Sequence, residues 1–165
     1  MKKILMSLVF ATMATTSMVH AAGYAVIDLQ RVVENSTYLK QQNTSLQQKV
    51  QPQTTKLEQL AKELEALQQR AQQTPNLSDA EKQKMSAQFQ TQLKEFNTLQ
   101  QSVQTTVQSA IQLMNKTLDA RIKQVAEQLR KENKLDIVLN KNSALAYDSK
   151  YDLTDKMIQK VNVIK

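Results

Sequence analysis

The stretch "LEQLAKELEALQQRA" at residues 57–71 places Leu57, Leu60, Leu64, Leu67 and Ala71 at spacings of three, four, three and four. This is the period of a helix whose apolar contact is a narrow seam, with Gln, Glu and Lys filling the rest of its surface. A helix this wet cannot wall a broad globular core, so it requires one slender partner. Stepping backward in heptads extends the seam through Gln53, Val50, Leu46, Asn43 and Leu39, so polar residues interrupt it twice. On the far side of "QQTPNLSDAEK" the same period resumes at Phe89, Leu93, Phe96, Val103, Val107, Ala110 and Met114. A four-residue step at Leu118 then leads to Ile122, Val125 and Leu129.

Between the two runs, Pro75 ends the first helix, and Ser78 with Glu81 makes a capping box that opens the second. Two helices of matching period around a short reversal predict an antiparallel hairpin, each seam serving as the other's partner. A helix over residues 37–73 would reach about 55 Å at 1.5 Å per residue. That is too long for a compact domain of this size, so the arm must project. Pro52 falls inside the first helix and off the seam, where it removes one backbone bond and bends the rod. Glutamine makes up 19 of the 71 residues from Lys40 to Ala110. The apolar heptad positions that interrupt it argue against a prion-like tract and leave a solvated face able to hydrogen-bond many polypeptides.

Residues 1–21 read as a cleaved secretory signal: Lys2 and Lys3, then the apolar "ILMSLVFATMA", then "VHA" before the cut. Removal of Lys2 and Lys3 takes 22 basic residues to 20 against 15 acidic, a net of +5 that favours acidic partners. His20 leaves with the signal and the chain has no cysteine. Zinc sites on those ligands, thiol or imidazole nucleophiles and a Ser-His-Asp triad are thereby excluded, and the lone remaining Gly23 builds no phosphate loop. The expectation is a protein that is not an enzyme and takes no cofactor or metal. Nucleic-acid binding is disfavoured as well, since aromatics are few and the lysines are interspersed with acids.

The ends differ from the arm. "YAVIDLQRVVENS" reads as a strand followed by a short helix capped by Asp28 and carrying Val32 and Val33. Near the other end, "LDIVLN", a polar turn at 140–142 and "SALAY" read as a β-hairpin with Leu135, Ile137 and Leu139 on one face. A closing helix follows from about Thr154, capped by Asp152, with Met157, Ile158, Val161 and Ile164 on its apolar face. These ends amount to about fifty residues, too few for a comfortable core of their own, and they expose strand edges. Several chains pooling strands into one shared sheet would remove those edges, and a dimer satisfies this nearly as well as a trimer. The candidate oligomerisation residues are Val26, Ile27, Leu135, Ile137, Leu139, Leu145 and Tyr147.

The signal-like start, "YAVIDLQRVVENS", the helical hairpin, "KLDIVLNKNSALAYDS" and "YDLTDKMIQKVN" together resemble the Skp/OmpH family of periplasmic outer-membrane-protein chaperones. The resemblance spans essentially the whole mature chain and is carried by its ends. It implies a mainly α fold with a small β body. A long antiparallel helical hairpin, or tentacle, would project from a trimeric, barrel-like oligomerisation body. The body would comprise residues 22–36 and 132–165, and the arm 37–131 with its tip near 74–78. It further implies a homotrimer that encloses unfolded outer-membrane proteins without ATP, and the net basic charge adds lipopolysaccharide or an anionic membrane surface as acidic partners. Pro52 is not a feature that family leads one to expect. Lys56, Lys62, Arg70, Lys82, Lys84 and Lys94 are the candidates for attracting clients, although any one of them also serves simply to solvate the arm. The competing reading is a structural or adaptor coiled coil that grips one folded envelope partner.

Overall fold

The structure, a computed structural model, describes residues 23–74 and 77–164. The signal-like segment and Pro75 lie outside the described residues. The element order is β1 (Tyr24–Ile27), α1 (Leu29–Glu34), α2 (Thr37–Gln73), α3 (Asp79–Glu132), β2 (Ile137–Asn140), two 3₁₀ turns and α4 (Thr154–Val163).

The arm follows from its seam. α2 and α3 run antiparallel, cross-linked by Lys56 to Glu95 at 3.5 Å and by Gln92 Nε2 donating to Glu63 at 2.6 Å. Leu39, Leu46, Val50, Leu57, Leu64 and Leu67 are half-buried along α2, while Asn43 and Ala71 are exposed. Leu60 is the one fully buried residue of α2, at 1 % exposure. On α3, Phe89, Phe96, Val103, Val107 and Ala110 take the facing positions. Leu93 does not: it is exposed, and Gln92 occupies the seam beside it. Steps of three and four both carry a helix back to the same face, and the Glu63 contact selects Gln92. Ser78 and Glu81 form the expected reciprocal cap, with Glu81 accepting from the Ser78 amide at 2.9 Å and Ser78 Oγ accepting from the Glu81 amide at 3.3 Å. Pro52 lies within α2, which is continuous on either side of it.

α3 is about 80 Å long at 1.5 Å per residue and outruns α2, so its last turns enter the body. Leu118, Val125 and Leu129 pack there with Ile27, Val32, Met157 and Val161, and Val125 and Leu129 are completely buried. Asp28 caps α1 through the Arg31 amide at 3.1 Å. Buried Ser36 caps α2 through the Leu39 amide at 3.2 Å. Asn162 on α4 clamps the junction between these helices, its Oδ1 accepting from the Thr37 amide at 2.9 Å and its Nδ2 donating to the Asn35 carbonyl at 3.0 Å. One α4 side chain thus satisfies an otherwise unpaired amide at the start of α2.

Two expectations for the ends are corrected. β2 does not form a hairpin with "SALAY"; it pairs in parallel with β1, from Tyr24 opposite Ile137 to Ile27 opposite Asn140. Gly23 begins this pairing: its carbonyl accepts from the Asp136 amide at 2.7 Å, and a Cβ there would stand 3.1 Å from the Lys134 oxygen. After β2 the Asn140 side chain accepts from the Asn142 amide at 3.2 Å and curls residues 141–143 into a 3₁₀ turn. The chain is thereby directed away from an antiparallel return. The second correction concerns α4, whose N-cap is Leu153 rather than Asp152. Asp152 is drawn into a bridge with Val26, and its Oδ1 accepts from the Thr154 amide at 2.8 Å. β1 is consequently flanked by its own chain on both sides.

α3 closes with the Leu135 amide donating to the Arg130 carbonyl at 2.8 Å and the Lys134 amide to Lys131 at 3.2 Å. This is a Schellman turn with Lys134 at the left-handed position, φ 53°. Glycine is the usual residue there because a Cβ is strained. Replacing Lys134 by Gly is expected to raise stability by about 0.5–1 kcal/mol, read from urea unfolding at fixed protein concentration. Glu127 near the same end takes a two-pronged contact from Arg130 at 2.8 and 2.9 Å. That contact, aided by Lys131, holds its carboxyl at about 2, below the ordinary 4.5. Its stabilisation is therefore complete above pH 4.5 and lost as pH falls toward 2. Melting temperature measured from pH 7 downward should begin to fall near pH 4.5, and Glu127→Gln should remove part of that fall.

Candidate functional site

Two surfaces carry the unspent chemistry: the flanks of the arm and the exposed apolar edge of the body. On the arm, the structure brings Lys56 from α2 and Lys94 from α3 into one groove of about 510 Å³ with Thr91, Glu95, Thr98, Leu99 and Ser102. Arg70 lines a second, nearer the tip, with Glu63, Leu67, Gln88 and Gln92. Lys82 lines a third, of about 500 Å³, whose walls are Leu67, Ala71, Leu77, Met85 and Phe89. Lys62 and Lys84 are exposed, and among the described residues neither makes an ion pair. The six cations are therefore distributed along the arm and do not converge on one point. Lys56 is shared with Glu95 at 3.5 Å and Lys82 with Asp79 at 3.8 Å. Between residues 37 and 114, eight Lys and Arg stand against six Asp and Glu, a net of +2. Exposed pairs of this kind contribute little. The arm offers shallow apolar grooves rimmed by amides and partly offset cations, which suit many loose contacts with a chain better than one tight one.

On the body, Val26 and Ile27 are turned into the protomer's own core, at 1 % and 2 % exposure. Leu135, Leu139 and Tyr147 are half-buried. Ile137 is 47 % exposed, and Leu145 stands fully in solvent at 109 %. Tyr24 and Val163, which pattern reading did not single out, are also exposed. Tyr24 opens β1 ahead of three consecutively buried residues, so no alternation within the strand marks it as an outward-facing side chain. The loop that carries Leu145 is held in place. Lys141 reaches Asp28 at 3.0 Å at one end, and Tyr151 stacks on Tyr24 with ring centres 4.5 Å apart at the other. The Arg31 amide, with Lys141 second, keeps the Asp28 carboxyl below its ordinary range. Leu145 is thus an apolar side chain displayed on the tethered loop that follows β2, a strand with an outer edge facing away from β1. Among the described residues that edge has no strand paired to it.

This architecture, a long hairpin arm on a small body, is similar to that of known proteins. The family model for outer membrane protein (OmpH-like) matches residues 23–161. The chain belongs to the OmpH-like family. It is 29 % identical to a Skp-like protein of Chlamydia pneumoniae, over 98 % of this chain and 96 % of the relative. It is 24 % identical to a Skp-like protein of Pseudomonas aeruginosa, over 94 % and 93 %. The fold is similar to the crystal structure of a candidate OmpH-like outer membrane chaperone from Caulobacter crescentus. That match has a TM-score of 0.52 and 19 % identity, over 86 % of this chain and 85 % of the other. No helix among the described residues is long and apolar enough to cross a membrane.

If the Asp28–Lys141 contact holds the Leu145 loop, Lys141→Ala should increase the backbone amide exchange of residues 142–148 several-fold. It should leave exchange at Val125 and Leu129 unchanged. The measurement is hydrogen exchange of the purified protein at neutral pH.

Proposed function

We propose that this OmpH-like protein is an ATP-independent holdase of the periplasm. In this reading three copies assemble through their bodies, and the space between their arms keeps unfolded outer-membrane proteins from meeting one another. The observation that supports it most is the division of labour in the arm. The apolar seam is used up between α2 and α3, leaving a long projecting surface of amides, scattered cations and shallow grooves. An unfolded barrel presents alternating apolar side chains and unpaired strand edges, both hazards for aggregation. Enclosure prevents contact between clients, and weak replaceable contacts allow release without an energy source. The near balance of charge on the arm makes attraction of acidic chains, lipopolysaccharide or anionic membrane a modulation of encounter rate.

Assembly is assigned to Ile137, Leu145 and the outer edge of β2. Both side chains are open to solvent in the protomer, so a charge placed there does not disturb its own core. Ile137→Asp and Leu145→Asp should preserve helicity and abolish the oligomer, since burying an unpaired carboxylate between copies costs several kcal/mol. Sedimentation that still finds an intact oligomer would count against this surface.

For the activity, the mature protein should suppress light scattering when a urea-unfolded outer-membrane barrel is diluted into buffer, saturating near one oligomer per client. Removing residues 49–105 and closing the helices with a short turn should keep the oligomer and lose the suppression. Replacing Lys56, Lys62, Lys82, Lys84 and Lys94 by Gln should slow capture and flatten its dependence on salt. A protein that fails to suppress scattering and instead binds one folded envelope partner would establish the adaptor role in its place.

A further inference from the structure

Two tyrosines from opposite ends of the chain lie ring against ring in the body. Tyr24 on β1 and Tyr151 in the 3₁₀ turn Ser149–Tyr151 have ring centres 4.5 Å apart and planes inclined by 32°. That is the close end of the range for aromatic pairs, so the two rings are in contact. The hydroxyls meet as well, since a hydrogen bond with Tyr151 pushes the Tyr24 hydroxyl above its ordinary pKa. With both oxygens on one side, the ring carbons next to them are brought alongside one another. Neither backbone is free to withdraw. β1 is paired with β2 from Tyr24 to Ile27. The Tyr151 amide donates to the Asp148 carbonyl at 2.9 Å, and two residues on, the Leu153 amide donates to the Val26 carbonyl at 3.0 Å. Tyr24 is 40 % exposed and Tyr151 half-buried, so solvent reaches the pair.

We propose that Tyr24 and Tyr151 form a site of oxidative modification, at which a carbon–carbon bond between the rings staples β1 to the turn before α4. Each phenol gives up one electron and one proton, and the two phenoxyl radicals join at carbons next to their oxygens. The hydrogens on the joined carbons pass through water to the oxygens, which restores both phenols. The oxidant is a peroxide activated by a haem or another transition metal. Hydrogen peroxide takes up the two electrons and two protons and becomes two waters. The chain contains neither cysteine nor tryptophan, the usual rivals for a one-electron oxidant. The other two tyrosines of the mature chain are engaged differently: Tyr38 lies beneath the Arg121 guanidinium at 4.2 Å, and the Tyr147 hydroxyl donates to Asp152 at 3.5 Å. A bond from Tyr24 to Tyr151 closes a loop that includes the whole arm, which restricts the unfolded chain far more than the folded one. It also makes permanent one of the two tethers of the loop that carries Leu145. The site does not depend on the holdase reading.

The full mature protein is treated with hydrogen peroxide and a catalytic amount of a haem peroxidase, then digested with trypsin. Cleavage after Arg31, Lys150 and Lys156 leaves Tyr24 in "AGYAVIDLQR" and Tyr151 in "YDLTDK", with Tyr147 on a third peptide. The first two should appear joined, lighter than their sum by two hydrogens. Because rings held in contact outcompete chance encounters, this product should exceed any other tyrosine pair by about fivefold. Tyr24→Phe and Tyr151→Phe should each remove most of the blue dityrosine emission, and Tyr147→Phe should leave it in place. Assembly from a mixture of nitrogen-15-labelled and unlabelled chains should give joined peptides of uniform label, because the bond lies within one chain. Oxidised Tyr24→Phe protein carries the same methionine oxidation without the staple, and the stapled protein should need more urea to unfold than this control. Absence of the joined peptides, joined peptides of mixed label, or equal urea midpoints would overturn the staple.

Discussion

Everything in this protein is arranged around how little two helices can bury between them. A pair of helices covers only the facing stripe of each, so the arm contains a line of half-buried side chains with Leu60 alone fully enclosed on α2. Such a line cannot nucleate a domain, and long isolated helices are marginal in water. The stabilising mass sits instead at the base, where Val125, Leu129, Ile27, Val32, Met157 and Val161 close on one another. α3 belongs to both regions without interruption, so it transmits the rigidity of the base into the arm like a beam built into a wall. The Asn162 clamp on the start of α2 fastens the second beam to the same wall.

The base is complete on one side and open on the other. β1 is satisfied by its own chain on both flanks, through β2 and through the bridge to Asp152, and its residues are buried as a central strand's would be. The outer edge of β2, half-exposed Ile137 and wholly exposed Leu145 remain. A fully solvated leucine on a loop tethered through Lys141 to Asp28 is an odd ending for a molecule that works alone. It fits the assembly through the bodies proposed above.

Along the arm, the balance of charge sets the character of any contact. Eight cations against six anions leave a weak field, and two of the cations, Lys56 and Lys82, already face carboxylates. The grooves between them are shallow. Such a surface offers a polypeptide many weak contacts and no firm one, which is the character that the proposed holdase role calls for.

Much of this was legible in the residues. The helical hairpin, the Asp28 cap, the Ser78–Glu81 box and the place of Pro52 within α2 all depend on local pattern, and local pattern is what a sequence displays. The choice between Leu93 and Gln92 was not legible, because steps of three and four are equivalent on one helix and only contact with Glu63 on the other decides. Nor was the pairing of β2, since a strand's alternation names its faces and never its neighbour. β1 lies more than a hundred residues earlier in the chain, and Gly23 meeting Asp136 selected it over the nearby "SALAY". The candidate cations were visible as residue types, yet the placing of Lys56, Lys94, Arg70 and Lys82 in three separate grooves, with Lys62 and Lys84 outside them, required the register of the hairpin. By itself the sequence determined which segments are helix and where the two long helices begin, because those follow from capping and spacing within one element. Only the tertiary structure decided which edges are filled and which are left open, because that depends on which distant segment the packed body sets against a given backbone to satisfy its hydrogen bonds.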